Sequence, residues 1–431
     1  MNEWRPMMIR FGMLKRFWFV WVIYWLVYLF QPVRSIYQGI ELAWLLQLLF
    51  VMMLSLAYII GANVLPLRSR PLPAGKTPLD QAEVKSIIRW GVWISFLGLA
   101  FLSYDKIVIQ GIDYSQGLAA AREQWRILGD ERGGGASSPF SALGYLFGGA
   151  LFVSLALTLS RMVLLPDPKR FRFLLLGFLF LMANSLATGG RSSILLAVAF
   201  TSFGYFSSKR GGFPPLWRSS VIRISFVATA VLAGAYVLYV FYSRALASEV
   251  DLANYSLEFL EFLGLEPIPW FSGFATSSAV GSGLALVNLA VSYLTHSFVT
   301  TAAIIGYTGD SGDAIFVHLI SIGAKIGVLD APTEWFLAGR FPSLPGALYM
   351  QFGLPGLLSA ASFMGITAGL SSALFARRPG SVIGFFVCAS IESILLMSPF
   401  LFAGDFLFFP FMLMGGAMAI IAGKNFGRYK A

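Results

Sequence analysis

Apolar runs long enough to cross a membrane recur from one end of this chain to the other, separated by polar segments. A hydrocarbon core is about 30 Å thick and a helix rises about 1.5 Å per residue, so each crossing takes about 20 apolar residues. In lipid every backbone polar group must be bonded within the protein, so such runs fold as helices. Of the 431 residues 57% are hydrophobic and 12% charged, against about 25% charged in average soluble chains. The expected fold is an all-α, polytopic membrane helical bundle forming one domain over 1–431.

The runs predict ten spans, near 17–30, 41–62, 90–103, 142–160, 173–190, 192–208, 224–242, 345–375, 381–399 and 406–422. Two long segments lie between them, 104–141 and 243–344. Within the second, Ser277–Ile305 is apolar enough to enter a membrane. Either it lies on or dips into the outer leaflet, or it crosses twice and raises the count to twelve. Ser256–Leu263 reads as a short amphipathic helix ended by Gly264, and Ser115–Leu128 as another helix.

Charge orders these segments. The N-terminal stretch, the 66–89 loop, the 161–172 loop, the 209–223 loop, the Arg377-Arg378 turn and the C-terminus hold 22 of the 31 Lys and Arg residues and only the acids Glu3, Asp80, Glu83 and Asp167. By the positive-inside rule these segments and both termini are expected to be cytoplasmic, with 104–141 and 243–344 as outside loops. The net charge of +10 is then accounted for by topology and attraction to anionic lipid, and a nucleic-acid partner is set aside. A single cysteine, Cys388, excludes an intrachain disulfide, and one cysteine with two histidines cannot build a typical structural zinc site. The basic N-terminus precedes an apolar run with no small-residue cleavage site, so it reads as a retained first helix.

Nine basic residues fall outside, and seven are arginine: Arg34, Arg122, Arg126, Arg132, Arg191, Arg244 and Arg340. Topology does not require them there, and guanidinium groups bind phosphate bidentately. Arg191 stands in the hairpin Thr188-Gly189-Gly190-Arg191-Ser192-Ser193 between two short apolar runs; Gly189 and Gly190 allow close backbone approach, although an arginine snorkelling to headgroups is the plainer reading. Arg122 and Arg126 share one helical face. Arg244 ends the seventh span, and Arg340 precedes Phe341-Pro342-Ser343-Leu344-Pro345-Gly346. His296 is a candidate general base or a structural histidine. Asp251 and Glu249 are further candidate bases, as are the outside carboxylates Asp113, Glu258 and Glu261. Glu392, inside the ninth span, is either functional or a hydrogen-bonded helix contact. No Walker motif or dinucleotide fingerprint occurs, and loop Gln31–Ile40 lacks the Asp-x-Asp or Glu-x-Asp pair of metal-dependent lipid-phosphosugar transferases.

Three stretches resemble bacterial Wzy-type oligosaccharide repeat-unit (O-antigen) polymerases: the Thr188–Ser193 hairpin, the outside loop with Arg122 and Arg126 before a glycine-rich run, and Pro342–Gly356 entering a span after the large loop. The resemblance implies a glycosyltransferase without metal or other cofactor, on the periplasmic face of the inner membrane, related in fold to O-antigen ligases and SEDS polymerases. It implies undecaprenyl-pyrophosphate-linked glycan as donor and acceptor, with membrane lipid and a chain-length regulator protein as partners. In that frame Arg191, Arg122, Arg126, Arg244 and Arg340 bind pyrophosphate, His296, Asp251 or Glu249 takes a proton, and Gly189, Gly190 and Glu392 support the site. An O-antigen ligase is the nearest alternative; a lipid-linked glycan flippase or transporter is more distant and calls for broken helices and charges at membrane depth.

Overall fold

A computed structural model describes residues 4–65, 81–115, 117, 120–121, 124–125, 127–128, 138–160, 167–188, 192–208, 231, 234–235, 237–246, 248–307, 340–377, 381–402 and 408–427. They form helices α1 (Trp4–Leu29), α2 (Ile40–Val64), α3 (Gln81–Tyr104), α4 (Pro139–Gly148), α5 (Ala150–Leu159), α6 (Asp167–Thr188) and α7 (Ser192–Ser208). After α8 (Val237–Leu246) come α9 (Leu252–Phe262), α10 (Pro269–Ser277), α11 (Ala279–Ile305), α12 (Leu344–Arg377), α13 (Val382–Met397) and α14 (Phe408–Gly427). Two three-residue strands, β1 (Val33–Ser35) and β2 (Leu265–Pro267), pair antiparallel. Eight helices among the described residues are long and apolar enough to cross a membrane, and α7, α8 and α13 are shorter apolar helices.

Glycine sets how closely the long helices approach. A Cβ on Gly365 would lie 2.3 Å from the Leu54 carbonyl, one on Gly369 2.2 Å from that of Tyr58, and one on Gly61 2.3 Å from that of Ile366. The Gly365-x-x-x-Gly369 pattern thus seats α12 backbone-to-backbone on α2, as small residues do where lipid offers no hydrophobic drive for helices to associate. A second seam joins α3, the α4–α5 pair and α14: a Cβ on Gly98 would meet the Gly148 nitrogen at 2.4 Å, and one on Gly149 the Phe411 carbonyl at 2.1 Å.

The bundle has two chemically distinct ends. At one, Tyr58 Oη donates to the Arg10 carbonyl at 2.6 Å, Arg10 reaches the Leu65 carbonyl, and Lys424 pairs with Glu83 at 3.6 Å. At the other, β1 and β2 join, Gln31 bonds Ser292 and Thr295, and the Leu344 N–H donates to the Ser398 carbonyl at 2.8 Å.

Several sequence expectations change. Helix α1 begins at Trp4, so Arg10, Lys15 and Arg16, expected ahead of the first span, lie within its helix. Helix α3 starts at Gln81 and continues as a π-helical turn, Asp105–Ile109, which shortens the loop expected from 104. The short helix expected at Ser256–Leu263 begins a turn earlier, because Asp251 caps it through the N–H groups of Ala253 and Asn254. Gly264, at φ 82°, follows its end. Gly117 at φ 97° means that the helix expected from Ser115 starts later.

Two corrections matter most. Ser277–Ile305 does not cross twice: residues 279–305 are one helix. The span expected over 345–375 is broken at Gly353 (φ 65°, ψ −173°). Ser343-Leu344-Pro345-Gly346 starts the first piece, and Gly353-Leu354-Pro355-Gly356 starts the second with the same Leu-Pro-Gly signal. Proline fits a helix's first turn, where its missing N–H breaks no ladder bond.

Candidate functional site

Arg340 lies at the β1–β2 end, in the extended residues that lead into α12. Its Nη1 donates to Tyr37 Oη, and its guanidinium stands 5.5 Å from the Phe262 ring centroid. Tyr37 is fixed by its own loop: the Ile36 N–H donates to the Gly264 carbonyl at 3.1 Å, and a Cβ on Gly264 would come within 2.4 Å of the Tyr37 ring. Gly264 therefore both ends α9 and gives the ring its place. Beside it, Arg34 and Glu266 sit opposite each other on the two strands and pair at 2.9 Å in solvent. Arg34 holds the Glu266 carboxyl below its usual 4.5, and that pair accounts for one of the seven arginines expected outside.

His296 closes the arrangement from α11. It is 2% exposed. Its Nδ1 donates to the Tyr293 carbonyl at 2.7 Å, and its Nε2 accepts the Phe341 N–H at 3.0 Å. The two bonds select the neutral tautomer protonated on Nδ1. The lone pair a general base would need is therefore spent on the residue next to Arg340, and His296 positions that segment in this geometry.

Below the clamp a buried polar network ties α11 to α1, α12 and α13. Tyr24 Oη bonds Ser297 Oγ at 2.6 Å, Ser297 donates to the Pro399 carbonyl at 2.7 Å, and Thr301 bonds Ser343 Oγ at 2.9 Å. Ser343 also caps α12 by accepting the Gly346 N–H. Reading the sequence for charge alone missed Tyr37, Phe262 and this network. The recurrence Ser292, Thr295, Ser297, Thr300, Thr301 in an apolar run was the available signal.

The other expected residues hold the following places. Asp251 caps α9. Glu249 is exposed, at φ 57°. Arg244 is half-buried near the end of α8. Arg122, Arg126, Gly189, Gly190 and Arg191 lie outside the described residues. Lys106 Nζ stands 4.3 Å from the Trp125 ring centroid, and buried Asp105 accepts from Ser138 Oγ at 2.6 Å. Among the described residues no three His, Cys, Asp or Glu side chains gather in a way that could hold a metal ion.

Of the two readings of Glu392, the helix contact describes its surroundings. It is fully buried and takes a forked pair of bonds from Arg16, Nε to Oε1 and Nη2 to Oε2, with Ser202 Oγ donating at 3.2 Å. The Arg16 guanidinium also stands 5.3 Å from the Phe206 ring centroid. Arg16 is twelve residues, about 18 Å of helix, from Tyr28 at the Arg340 end of α1. Glu392 thus joins α1, α7 and α13 deep in the bundle and is no part of the Arg340 cluster.

No family model, curated protein or solved structure matches the chain.

Proposed function

We propose that the chain is a membrane-embedded glycosyltransferase that extends lipid-pyrophosphate-linked oligosaccharide at the Arg340 end of the bundle, which faces the periplasm. The observation that carries this reading is the Arg340 clamp. A guanidinium is set against Tyr37 Oη and the Phe262 ring at a bundle end, and the sequence offers a second arginine, Arg191, between two apolar runs. Fixed cations at that level suit a lipid pyrophosphate, whose negative charge grows as the anomeric carbon–oxygen bond breaks. An acceptor hydroxyl attacks that carbon, the lipid pyrophosphate leaves, and the hydroxyl proton passes to a base. With His296 spent on Phe341 and Asp251 on its cap, Glu249 is the residue proposed as base. The glycan moves from its carrier to the non-reducing end of a new lipid-linked unit, with inversion in a single displacement.

The test is elongation of a defined lipid-pyrophosphate-linked unit by purified protein in proteoliposomes, with and without chelator. A ladder of products that chelator leaves unchanged is expected. Arg340→Ala and Arg191→Ala are each expected to lower kcat/KM by about 10- to 150-fold, the loss of one charge-assisted contact of about 1.5–3 kcal/mol. Wild-type rates in both variants, or a chelator-sensitive reaction, overturn the proposal.

A second reading has its own support. The break at Gly353 and the deep Arg16–Glu392 pair are features of transporters. Translocation of a lipid-linked glycan across protein-containing vesicles without elongation selects it.

A further inference from the structure

We propose that α10 and the first half of α11 form an in-plane wedge whose partner is the acyl chains of the membrane leaflet at the Arg340 end. Three observations carry this, and none depends on the transferase reading.

The first is composition. From Pro267 to Gly309 no Asp, Glu, Lys or Arg occurs. At about 1.5 Å per residue the 27 residues of α11 span about 40 Å. That is long enough to cross, so length alone does not choose between crossing and lying flat.

The second is where α11 is held. Gln31, Tyr24, Ser343, Pro399 and the Phe341 N–H are its hydrogen-bonding partners on α1, α12 and the turn after α13. Phe298 stacks on Tyr28 and meets Trp44 edge-on. All of these belong to one end of the bundle. Nothing among them comes from the Arg10 end, where a crossing helix of this length would finish.

The third is the exposed face. The inner side of the hairpin is packed: Ala285 joins Phe271 and Ala275, and Leu286 and Leu289 join Leu260, Leu263 and Leu265. A Cβ on Gly281 would sit 2.0 Å from the Phe274 carbonyl, so the two helices touch at their joint. The outer side is apolar and open: Trp270 is 66% exposed and Val280 69%, followed at helical spacing by Leu284, Val287 and Leu294. This stripe runs toward Gln31, next to Phe30, which is 84% exposed and continues the outward face of α1 through Leu26, Ile23 and Phe19. The stripe is continuous with a surface that lipid covers in any membrane reading of the bundle. On α9 the exposed side chains include Glu258 and Glu261, so the water-facing and lipid-facing sides are chemically separate. An apolar stripe with an aromatic at its edge suits burial about 5–10 Å into a leaflet.

Spin-label accessibility tests this on the full-length protein in lipid bilayers. Single cysteines replace Val280, Leu284, Val287 and Glu258 in a Cys388→Ala background; buried Cys388 is retained unlabelled if that variant is unstable. Expected are frequent collisions with oxygen and few with a water-soluble nickel chelate at 280, 284 and 287, all at one shallow depth, and the reverse at 258. Nickel access along the stripe overturns the proposal. So does a depth that advances by about 1.5 Å per residue, the mark of a crossing helix. So do few collisions with either reagent, the mark of a face covered by protein.

Discussion

His296 and Glu392 show that a titratable residue in an apolar helix can be fully occupied by structure. His296 spends Nδ1 on Tyr293 and Nε2 on the Phe341 N–H. His296→Ala leaves that half-buried N–H without its acceptor and is expected to cost about 1–3 kcal/mol. His296→Gln keeps an acceptor and is expected to restore most of the thermal midpoint in detergent. Equal losses in both variants would mean that the acceptor does not matter. Glu392 is a different case, because its partner is a charge. Glu392→Ala strands Arg16 in the bundle and is expected to cost about 3–5 kcal/mol, whereas replacing both residues by methionine is expected to come out near neutral. The check is a double-mutant comparison of thermal midpoints. A double variant as unstable as the single one would mean that the pair carries more than mutual neutralisation.

Helices were the readable elements, because a 20-residue apolar run has one solution in lipid. Most described span centres fall where hydropathy puts them. Ends and breaks were less readable, since they depend on caps and side-chain partners. Arg16 lies inside α1 because Glu392, 376 positions away, neutralises it. Composition near residue 16 carries no trace of that. The break in α12 was legible and missed: Leu-Pro-Gly at 354–356 repeats the helix start at 344–346, and averaging hydropathy over the run hides a proline. Two predictions belong to elements. Gly353→Ala puts a Cβ into a backbone region open essentially to glycine alone and is expected to cost about 1–3 kcal/mol. Gly369→Leu pushes α12 off the Tyr58 carbonyl, and overpacking costs of about 1–3 kcal/mol or more are expected. Both are read as thermal midpoints in detergent, and unchanged midpoints would remove the break and the seam as structural requirements.

For the whole molecule, the site was legible as a list of charges and not as an arrangement. Arg340 stood in the sequence, but Tyr37 and Phe262 come to it from elements 303 and 78 positions away through β1–β2 pairing and the turn at Gly264. No local pattern encodes that meeting. Parity of the helices gives the test at this scale. Starting at Arg10, α1 rises to the β1–β2 end, and α2 returns to Leu65 beside Arg10. Helix α12 starts at Ser343 at the upper end, and its Ser372 reaches Tyr58 at the lower one. Helix α13 climbs to Ser398, which Trp21 and Leu344 meet, and α14 descends until Lys424 pairs with Glu83 at the start of α3. The first described residues of α1 and the last of α14 therefore lie at the Arg10 end, and α11, if it lies in the plane of the leaflet as proposed, adds no crossing. Among the described residues Arg10, Arg377 and Lys424 lie at that same end, so it is expected to face the cytoplasm. A cysteine at Glu258 is expected to react with a membrane-impermeant maleimide from the periplasmic side of sealed vesicles. A C-terminal protease tag is expected to be cut only from the cytoplasmic side. Opposite sidedness of the two termini would require an odd number of crossings and return α11 to the membrane interior.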